Sequence, residues 1–496
     1  MSWPAAVLWV MIFAAAFSQG PWLIYILFAT GAFGTLQMLP GDGGGVNLLP
    51  QSACAAILVA KVLLQRGNIP RAVDAALDPG RLAIFTAFIV YGIIGAFSLP
   101  RLFAGLTDVV PVSGGQVGTD VLRPSSGNVT QSCYMLLSYG TTLAFCMIGA
   151  TDAMRRHYAL ASVGAGLVIV VTGLVDLVFF TAGLSDLLAP FRTATYALLA
   201  DVETDGIKRV VGLMPEASAY GALCVGTGGA LVFLRPFLRK GRESLIATGT
   251  LIMLLAMGAL STSSGAYVGL GVLSGVYGCN LFVRVMGRDQ KDARRAQTEL
   301  TLLFLLAIAM VGAFVFRPSL YDPVYDMVDK IVFQKTTTAS YIERTSWTQA
   351  GWQAFLDSGS LGVGIGSIRV SNWGVSILGS TGVFGALLMF SFLIQQLAFR
   401  PRNAPEHVRR FCGAVQLSLL PVLVVSQLSA TMPDLGIPLA AALGILAAPR
   451  RSSPSSAPSA ERGVAARAPR NPPSREAMAR PALQGAGELA PSAFER

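Results

Sequence analysis

The chain has 496 residues, 53% of them hydrophobic and only 13% charged, with a mean hydropathy of +0.59 and a formal net charge of +10. A soluble domain carries about a quarter charged residues, so the composition excludes a soluble enzyme. The positive balance follows the loops on one side of a membrane and does not point to nucleic acid.

In chain order, apolar runs long enough to cross a hydrocarbon core of about 30 Å fall at 21–38, 50–64, 82–99, 132–150, 158–182, 217–235, 244–261, 264–283, 299–316, 373–398, 411–428 and 436–449. The stretch 4–17 is short and reads as a further span or as an interfacial segment. Runs such as 82–99 and 300–316 are apolar on every face, whereas barrel strands alternate polar with apolar residues. The expected fold class is therefore all-α, a polytopic membrane protein of about 12–13 transmembrane helices. The first residues lack a basic region and a cleavage site, so no cleaved signal peptide is expected. Cys54, Cys133, Cys146, Cys224, Cys279 and Cys412 form no CxxC pair and read as small core residues, with no disulfide framework or zinc site indicated.

If 65–81 is a cytoplasmic loop, alternation places 151–157, 236–243, 284–298, 399–410 and the residues after 449 on the same side. That side then holds most of the Lys and Arg, while the opposite side keeps more acids than bases, as the positive-inside rule expects. The membrane domain runs over 1–449, with long outer loops at 100–131, 183–216 and 317–372. Loops longer than about 15 residues are commonly functional. The tail 450–496 is rich in Ala, Pro, Ser and Arg and is expected to be a disordered cytoplasmic extension.

The outer side has few cations, and they cluster: Arg192, Lys208 and Arg209 in one loop, Arg344 and Arg369 in the largest. A guanidinium at a membrane surface suits bidentate capture of phosphate; the alternative is pairing with acids such as Asp201, Glu203 and Asp205. Those three acids also have oxygen-ligand chemistry, although their alternate spacing fits solvated charge better than a metal site. Glu216, after Pro215, opens a helix where an acid complements the dipole, and reads as a cap or as a base. Glu343 beside Arg344 reads first as an ion pair. Asp176 lies near the outer end of a span, where an ionisable group is either functional or paired with an arginine. Tyr341, Trp347 and Trp352 suit sugar stacking as well as a lipid boundary. Asn128-Val-Thr130 matches a glycosylation sequon. The turn Gly362-x-Gly364-x-Gly366 lacks the strand context of a nucleotide fingerprint, and is expected to bring backbone N–H groups and Arg369 toward an anionic headgroup.

Three stretches resemble the O-antigen ligase and polymerase-like membrane proteins. Lys208-Arg-Val-Val-Gly-Leu-Met-Pro-Glu-Ala-Ser-Ala-Tyr220 is similar to the family segment in which an Arg precedes a Gly and a Pro-Glu-x-Ser pair opens a helix. Ser261-Thr-Ser-Ser-Gly-Ala-Tyr267 resembles its small-residue motif at a helix junction. Ser340-Tyr-Ile-Glu-Arg344, Trp347 and Leu361-Gly-Val-Gly-Ile-Gly-Ser-Ile-Arg-Val-Ser371 resemble its large outer loop. The chain departs from the family where Ser264-Gly265 stands in place of an Arg. It also has only His157 and His407, both expected to be cytoplasmic, where lipid A-core ligases are associated with a His in the large outer loop.

The resemblance implies a GT-C-like architecture with two functional outer loops. It implies a membrane glycosyltransferase needing no metal or other cofactor, acting on undecaprenyl-pyrophosphate-linked oligosaccharide repeat units at the outer face of a bacterial inner membrane. Polymerisation is the expected reaction; the alternatives are ligation of the glycan to a lipid acceptor, or a lipid-linked oligosaccharide flippase. Glu216, Glu343 and Arg344 are the expected catalytic residues, with Arg192, Arg209, Arg369, Tyr341 and Trp347 binding substrate. The implied partners are the polyprenyl-pyrophosphate-linked saccharides, membrane lipid, and a chain-length regulator and flippase of the same pathway.

Overall fold

The computed structural model describes residues 1–39, 48–112, 118–194, 203–204, 207–287, 290–316, 339–398, 400–401 and 404–449. Asp201, Asp205, the segment 317–338 and the tail 450–496 lie outside the described residues, and so do the expectations made for them.

Fifteen helices are described: α1 Trp3–Phe17, α2 Trp22–Ala29, α3 Pro50–Leu63, α4 Asn68–Leu77, α5 Ala83–Leu102, α6 Ser126–Ile148, α7 Asp152–Thr181, α8 Ala217–Leu234, α9 Arg242–Leu260, α10 Ser264–Val285, α11 Gln290–Phe316, α12 Ala339–Asp357, α13 Trp373–Ala398, α14 Glu406–Ser429 and α15 Gly436–Ala447. Two-residue antiparallel ladders join β1 Asp108–Val109 to β2 Asp120–Val121, and β3 Glu203–Thr204 to β4 Ile207–Lys208. Among the described residues seven helices, α5, α7, α8, α9, α10, α13 and α14, are long and apolar enough to cross a membrane. The pair α3 and α4, bent by 108°, is an eighth if counted as one span. On α7 the side chains of Leu167, Val171, Leu174 and Val178 are exposed at intervals of four, three and four residues, forming one apolar stripe. Such a face is stable against lipid and not against water. The chain is a multi-pass, all-α membrane protein.

Among the described residues the count is lower than the 12–13 spans that hydropathy suggests, and at several of the expected spans the reason is physical. Helices α2 and α15 have 8 and 12 residues, and at 1.5 Å per residue neither crosses the core alone. Helix α15 is apolar because protein surrounds it: Ala440, Ala441, Leu443, Leu446 and Ala447 are fully buried, and it packs along α6. Helix α6 is long enough but less apolar; its buried Thr141 and Thr142 hydroxyls donate to carbonyls one turn back, Leu137 O and Ser138 O. The expected loop at 65–81 contains α4 instead. The chain turns at Gly67 (φ +78°), and Asn68 Nδ2 donates to Val62 O at 2.7 Å. Ile69, Val73 and Leu77 then stand exposed at successive i+4 positions while Ala72 and Ala75 are buried, the pattern of a helix lying in the interface.

The two ends of the bundle carry different groups. At one, Arg156 pairs with Glu243, His407 Nε2 meets Asp152 at 3.1 Å, and Arg81 donates to the Ala447 and Ala448 carbonyls at the end of α15. At the other, the ends of α7, α9 and α14 meet the starts of α8, α10 and α13.

Candidate functional site

The site is organised from Asp176, which is 1% exposed near the end of α7. Its Oδ1 takes Arg192 at 3.0 Å and Lys208 at 3.2 Å, and its Oδ2 accepts from Val211 N at 3.0 Å and Gly212 N at 3.1 Å. A buried carboxylate is tolerated when its lone pairs are satisfied in this way. The consequence is positional, because the segment 208–212 is fixed to α7. Val210 N also donates to Leu260 O at 3.2 Å. Gly212 has φ +60° and a Cβ there would lie 2.9 Å from the Tyr220 ring, so no other residue fits. The Tyr220 hydroxyl donates to Ile169 O at 2.9 Å, closing the clamp between α7 and α8.

Arg209 is thereby set beside the junction of α9 and α10. Its Nε donates to Thr262 Oγ1 at 3.0 Å and toward Ser261 O at 3.4 Å, and its Nη2 donates to Thr262 O at 3.3 Å. Thr262 has φ +47°, a left-handed conformation that is unusual for a β-branched residue and marks local strain. That conformation turns both its hydroxyl and its carbonyl to Arg209. Every one of these acceptors is neutral, so the guanidinium charge is not cancelled by a bonded acid. Burial lowers the Arg209 pKa, Glu216 opposes the shift, and Arg344 adds to it.

The chain then passes Pro215 to Glu216, the N-cap residue of α8, whose side chain makes no capping bond. The cap role considered from sequence is not the one observed. Its carboxylate instead receives Arg344 Nη2 on both oxygens, at 2.9 and 3.2 Å, together with the Ser218 hydroxyl. The expected Glu343–Arg344 pair is thus replaced: one residue along α12, Arg344 faces α8 while Glu343 is exposed.

These groups line one cavity of about 540 Å³. Arg209, Glu216, Ser218, Tyr341 and Arg344 lie on it with Ser263, Ser264 and Thr348. Asn372, Gln427 and Ser429 add to the polar lining, and Val425 and Leu428 supply an apolar wall. Gln427 joins two elements of the rim, its Oε1 accepting from Gly374 N at 3.1 Å.

Of the residues expected from sequence, Arg209, Glu216, Tyr341 and Arg344 meet in the cavity. Arg192 does not line it, being engaged with Asp176. Arg369 and Trp347 also lie off the lining and stack on each other, 4.2 Å from guanidinium to ring. Burial lowers the Arg369 pKa against the raising fields of Glu343 and Glu216, so it stands within electrostatic range of the same acids. Asn372, Gln427 and Ser429 were not singled out from sequence. Polar residues at the ends of apolar runs, such as Gln427 in α14, are the signal that marks them.

The glycine turn has another role than the one expected. The N–H groups of Gly362, Val363, Gly364, Ser367 and Arg369 all donate within the protein, to Ser358 Oγ, Gly379 O, Ser380 O, Gly364 O and Val110 O, so they form no anion nest. Gly362, Gly364 and Gly366 have φ of +79°, +92° and +82°. A Cβ on Gly362 would lie 2.6 Å from Gly382 N and one on Gly364 2.7 Å from Pro100. The turn is a close crossing between α5, the start of α6 and the break at Gly382 in α13. Asn128 of the sequon is buried here, donating to Ile365 O at 2.8 Å and Ser367 Oγ at 2.9 Å. The crossing carries the chain from the end of α12 to Asn372 on the cavity rim.

No protein-family model matches this chain, and no curated protein sequence matches it.

Proposed function

We propose that the chain is a glycosyltransferase of GT-C-like architecture that joins polyprenyl-pyrophosphate-linked oligosaccharide repeat units at the outer face of a bacterial inner membrane. The product is an O-antigen-like or exopolysaccharide polymer. The observation that carries the reading is the convergence of two guanidiniums and one carboxylate on a single cavity with an apolar wall.

Arg209, held by neutral acceptors, keeps its charge for an anion. Arg344 is shared: a pyrophosphate arriving in the cavity competes with Glu216 for it. Displacement frees the Glu216 carboxylate within reach of an acceptor hydroxyl. The acceptor oxygen forms a bond to the anomeric carbon of the growing chain, its proton passes to Glu216, and the bond from that carbon to the pyrophosphate breaks with its electron pair on the leaving oxygen. The two arginines stabilise the charge that develops there. Arg369, near enough to feel the same carboxylates, adds to the field without lining the cavity.

Both histidines stand at the opposite end of the bundle, His157 bonded to Tyr25 at 2.8 Å and His407 to Asp152, which favours polymerase over ligase in this reading. The test is an assay of purified protein with lipid-linked repeat units, products resolved by gel. A ladder with wild type, lost in Arg209→Ala and Arg344→Ala, supports the proposal. Intact substrate crossing the bilayer with no ladder would reassign the protein as a transporter.

A further inference from the structure

Two carboxamides line the Arg209 cavity and take no part in the transfer: Asn372, just before α13, and Gln427, in the last turn of α14. Both are half-buried. Asn372 Oδ1 accepts from Val375 N at 3.0 Å, and Gln427 Oε1 accepts from Gly374 N at 3.1 Å. A backbone N–H can only donate, so each amide must turn its oxygen to α13 and its NH2 group away from that donor. The two oxygens converge, since a Cβ on Gly374 would lie 3.2 Å from that of Gln427 and 3.4 Å from that of Asn372. Neither NH2 group is bonded among the described residues. Thr348 ties this pair to the ionic part of the site: its Oγ1 donates to Arg344 O at 2.9 Å and accepts from Ser371 N at 3.4 Å. Asn372 therefore follows directly on a residue docked one turn of α12 beyond Arg344.

Two neutral NH2 donors suit an uncharged oxygen acceptor, because an anion in the same cavity gains more from the charge-assisted bonds of the arginines. Leu428, the residue after Gln427, is exposed and lines the cavity too, so an apolar surface accompanies the donors. A carbonyl oxygen with a methyl group beside it matches both, and on a sugar that group is an acetamide. We infer that Asn372 and Gln427 are specificity-determining residues that hold the acetamido carbonyl of an N-acetylated sugar, its methyl against Leu428, while Arg209 and Arg344 hold the pyrophosphate. A 2-acetamido group is borne on the carbon next to the anomeric one that carries the pyrophosphate, which fits donors seated one turn beyond Arg344. This assignment rests on the proposed function, whose substrate it narrows.

The experiment titrates the full chain in nanodiscs with three probes: a short-chain prenyl pyrophosphate, and the same lipid carrying N-acetylglucosamine or glucose. Wild type is expected to bind the acetamido compound about tenfold more tightly than the glucose compound, the worth of one or two neutral hydrogen bonds. Asn372→Asp and Gln427→Glu keep the oxygens that accept from Val375 N and Gly374 N but lose the NH2 donors. Their unfolding midpoints are expected to hold, while the preference falls to about twofold or less. The added charge weakens pyrophosphate binding for both glycosides alike and cancels in the ratio. Asn372→Ser, a neutral helix cap without the amide, is expected to lose the preference with no charge added. Equal binding of the two glycosides by wild type, or a preference unchanged in Asn372→Ser or Gln427→Glu, overturns the inference; the wild-type comparison decides even if a variant misfolds. Failure of the proposed function reads differently: the bare prenyl pyrophosphate does not bind, or binds Arg209→Ala as tightly as wild type, whatever the sugar preference.

Discussion

Replacing Arg209 by alanine isolates the anion-binding part of the site. In the structure Nε and Nη2 are bonded to Thr262, while Nη1 has no bonded acceptor among the described residues. Nη1 and the second Nη2 hydrogen therefore offer three N–H groups to a ligand. Two charge-assisted hydrogen bonds are worth about 1.5–3 kcal/mol each. The residue is partly open to solvent, which reduces the sum to about 2–4 kcal/mol, or about 30- to 700-fold in affinity or turnover. Lysine at this position keeps the charge but not the fork that Thr262 grips, so Arg209→Lys should recover only part of the loss. Stability should change little, since Thr262, whose acceptors are left behind, is itself partly exposed. The measurements are product ladders from lipid-linked repeat units, and binding of a pyrophosphate-bearing lipid analogue in nanodiscs. Turnover of Arg209→Ala within threefold of wild type, at equal protein level, would falsify the assignment.

The Arg344–Glu216 pair is partly exposed on both sides, 28% and 36%, so its own contribution to stability is about 1 kcal/mol or less. Arg344→Ala should leave the melting temperature nearly unchanged while lowering turnover at least about 100-fold; a large melting shift with normal turnover would make the pair structural. Asp176→Ala should behave oppositely, since it removes the carboxylate shared by Arg192 and Lys208 and releases the 208–212 segment. A loss of about 3–5 kcal/mol is expected, seen as a lower unfolding midpoint, and an unchanged midpoint would refute the organising role given to it. At Gly366 a Cβ would collide with the Gly127 carbonyl, at φ +82°, so Gly366→Ala should destabilise by about 3 kcal/mol or more. Recovery of that variant at wild-type level and midpoint would contradict the crossing.

Much of this was legible in the sequence because hydropathy registers helices that face lipid. The runs behind α5, α7, α8, α9, α10, α13 and α14 fall within a few residues of where they appear, apart from the earlier starts of α7 and α14. What hydropathy cannot separate is lipid from protein as the surrounding medium, so α15 read as a span although it is enclosed. Nor does it see that α4, with its Ile69, Val73 and Leu77 stripe, lies at an interface. At the site, Arg209, Glu216 and Arg344 were found because charge is scarce on that side. Their pairing was not, since Arg344 lies next to Glu343 in sequence and its contact with Glu216 bridges 128 positions. The glycine turn was misread for a similar reason: its N–H partners lie mainly on α13 and at Val110, and no local pattern reports them.

The enclosure of α15 bears on how the protein is assembled. This helix leaves the ribosome after every other described helix, so its slot beside α6 must wait through most of synthesis. In a bilayer such a slot is filled by lipid tails, which are as apolar as the helix that replaces them, and burial alone gives no preference between the two. The preference has to come from fit, and α15 is built for close approach: Gly444 lies directly against the Thr142 carbonyl, and alanines occupy 440 to 442. Arg81 then secures its far end through the Ala447 and Ala448 carbonyls. Closure of the bundle is thus a late event governed by shape, and pulse-labelled chains probed by proteolysis should pass through a protease-sensitive stage that ends when α15 docks.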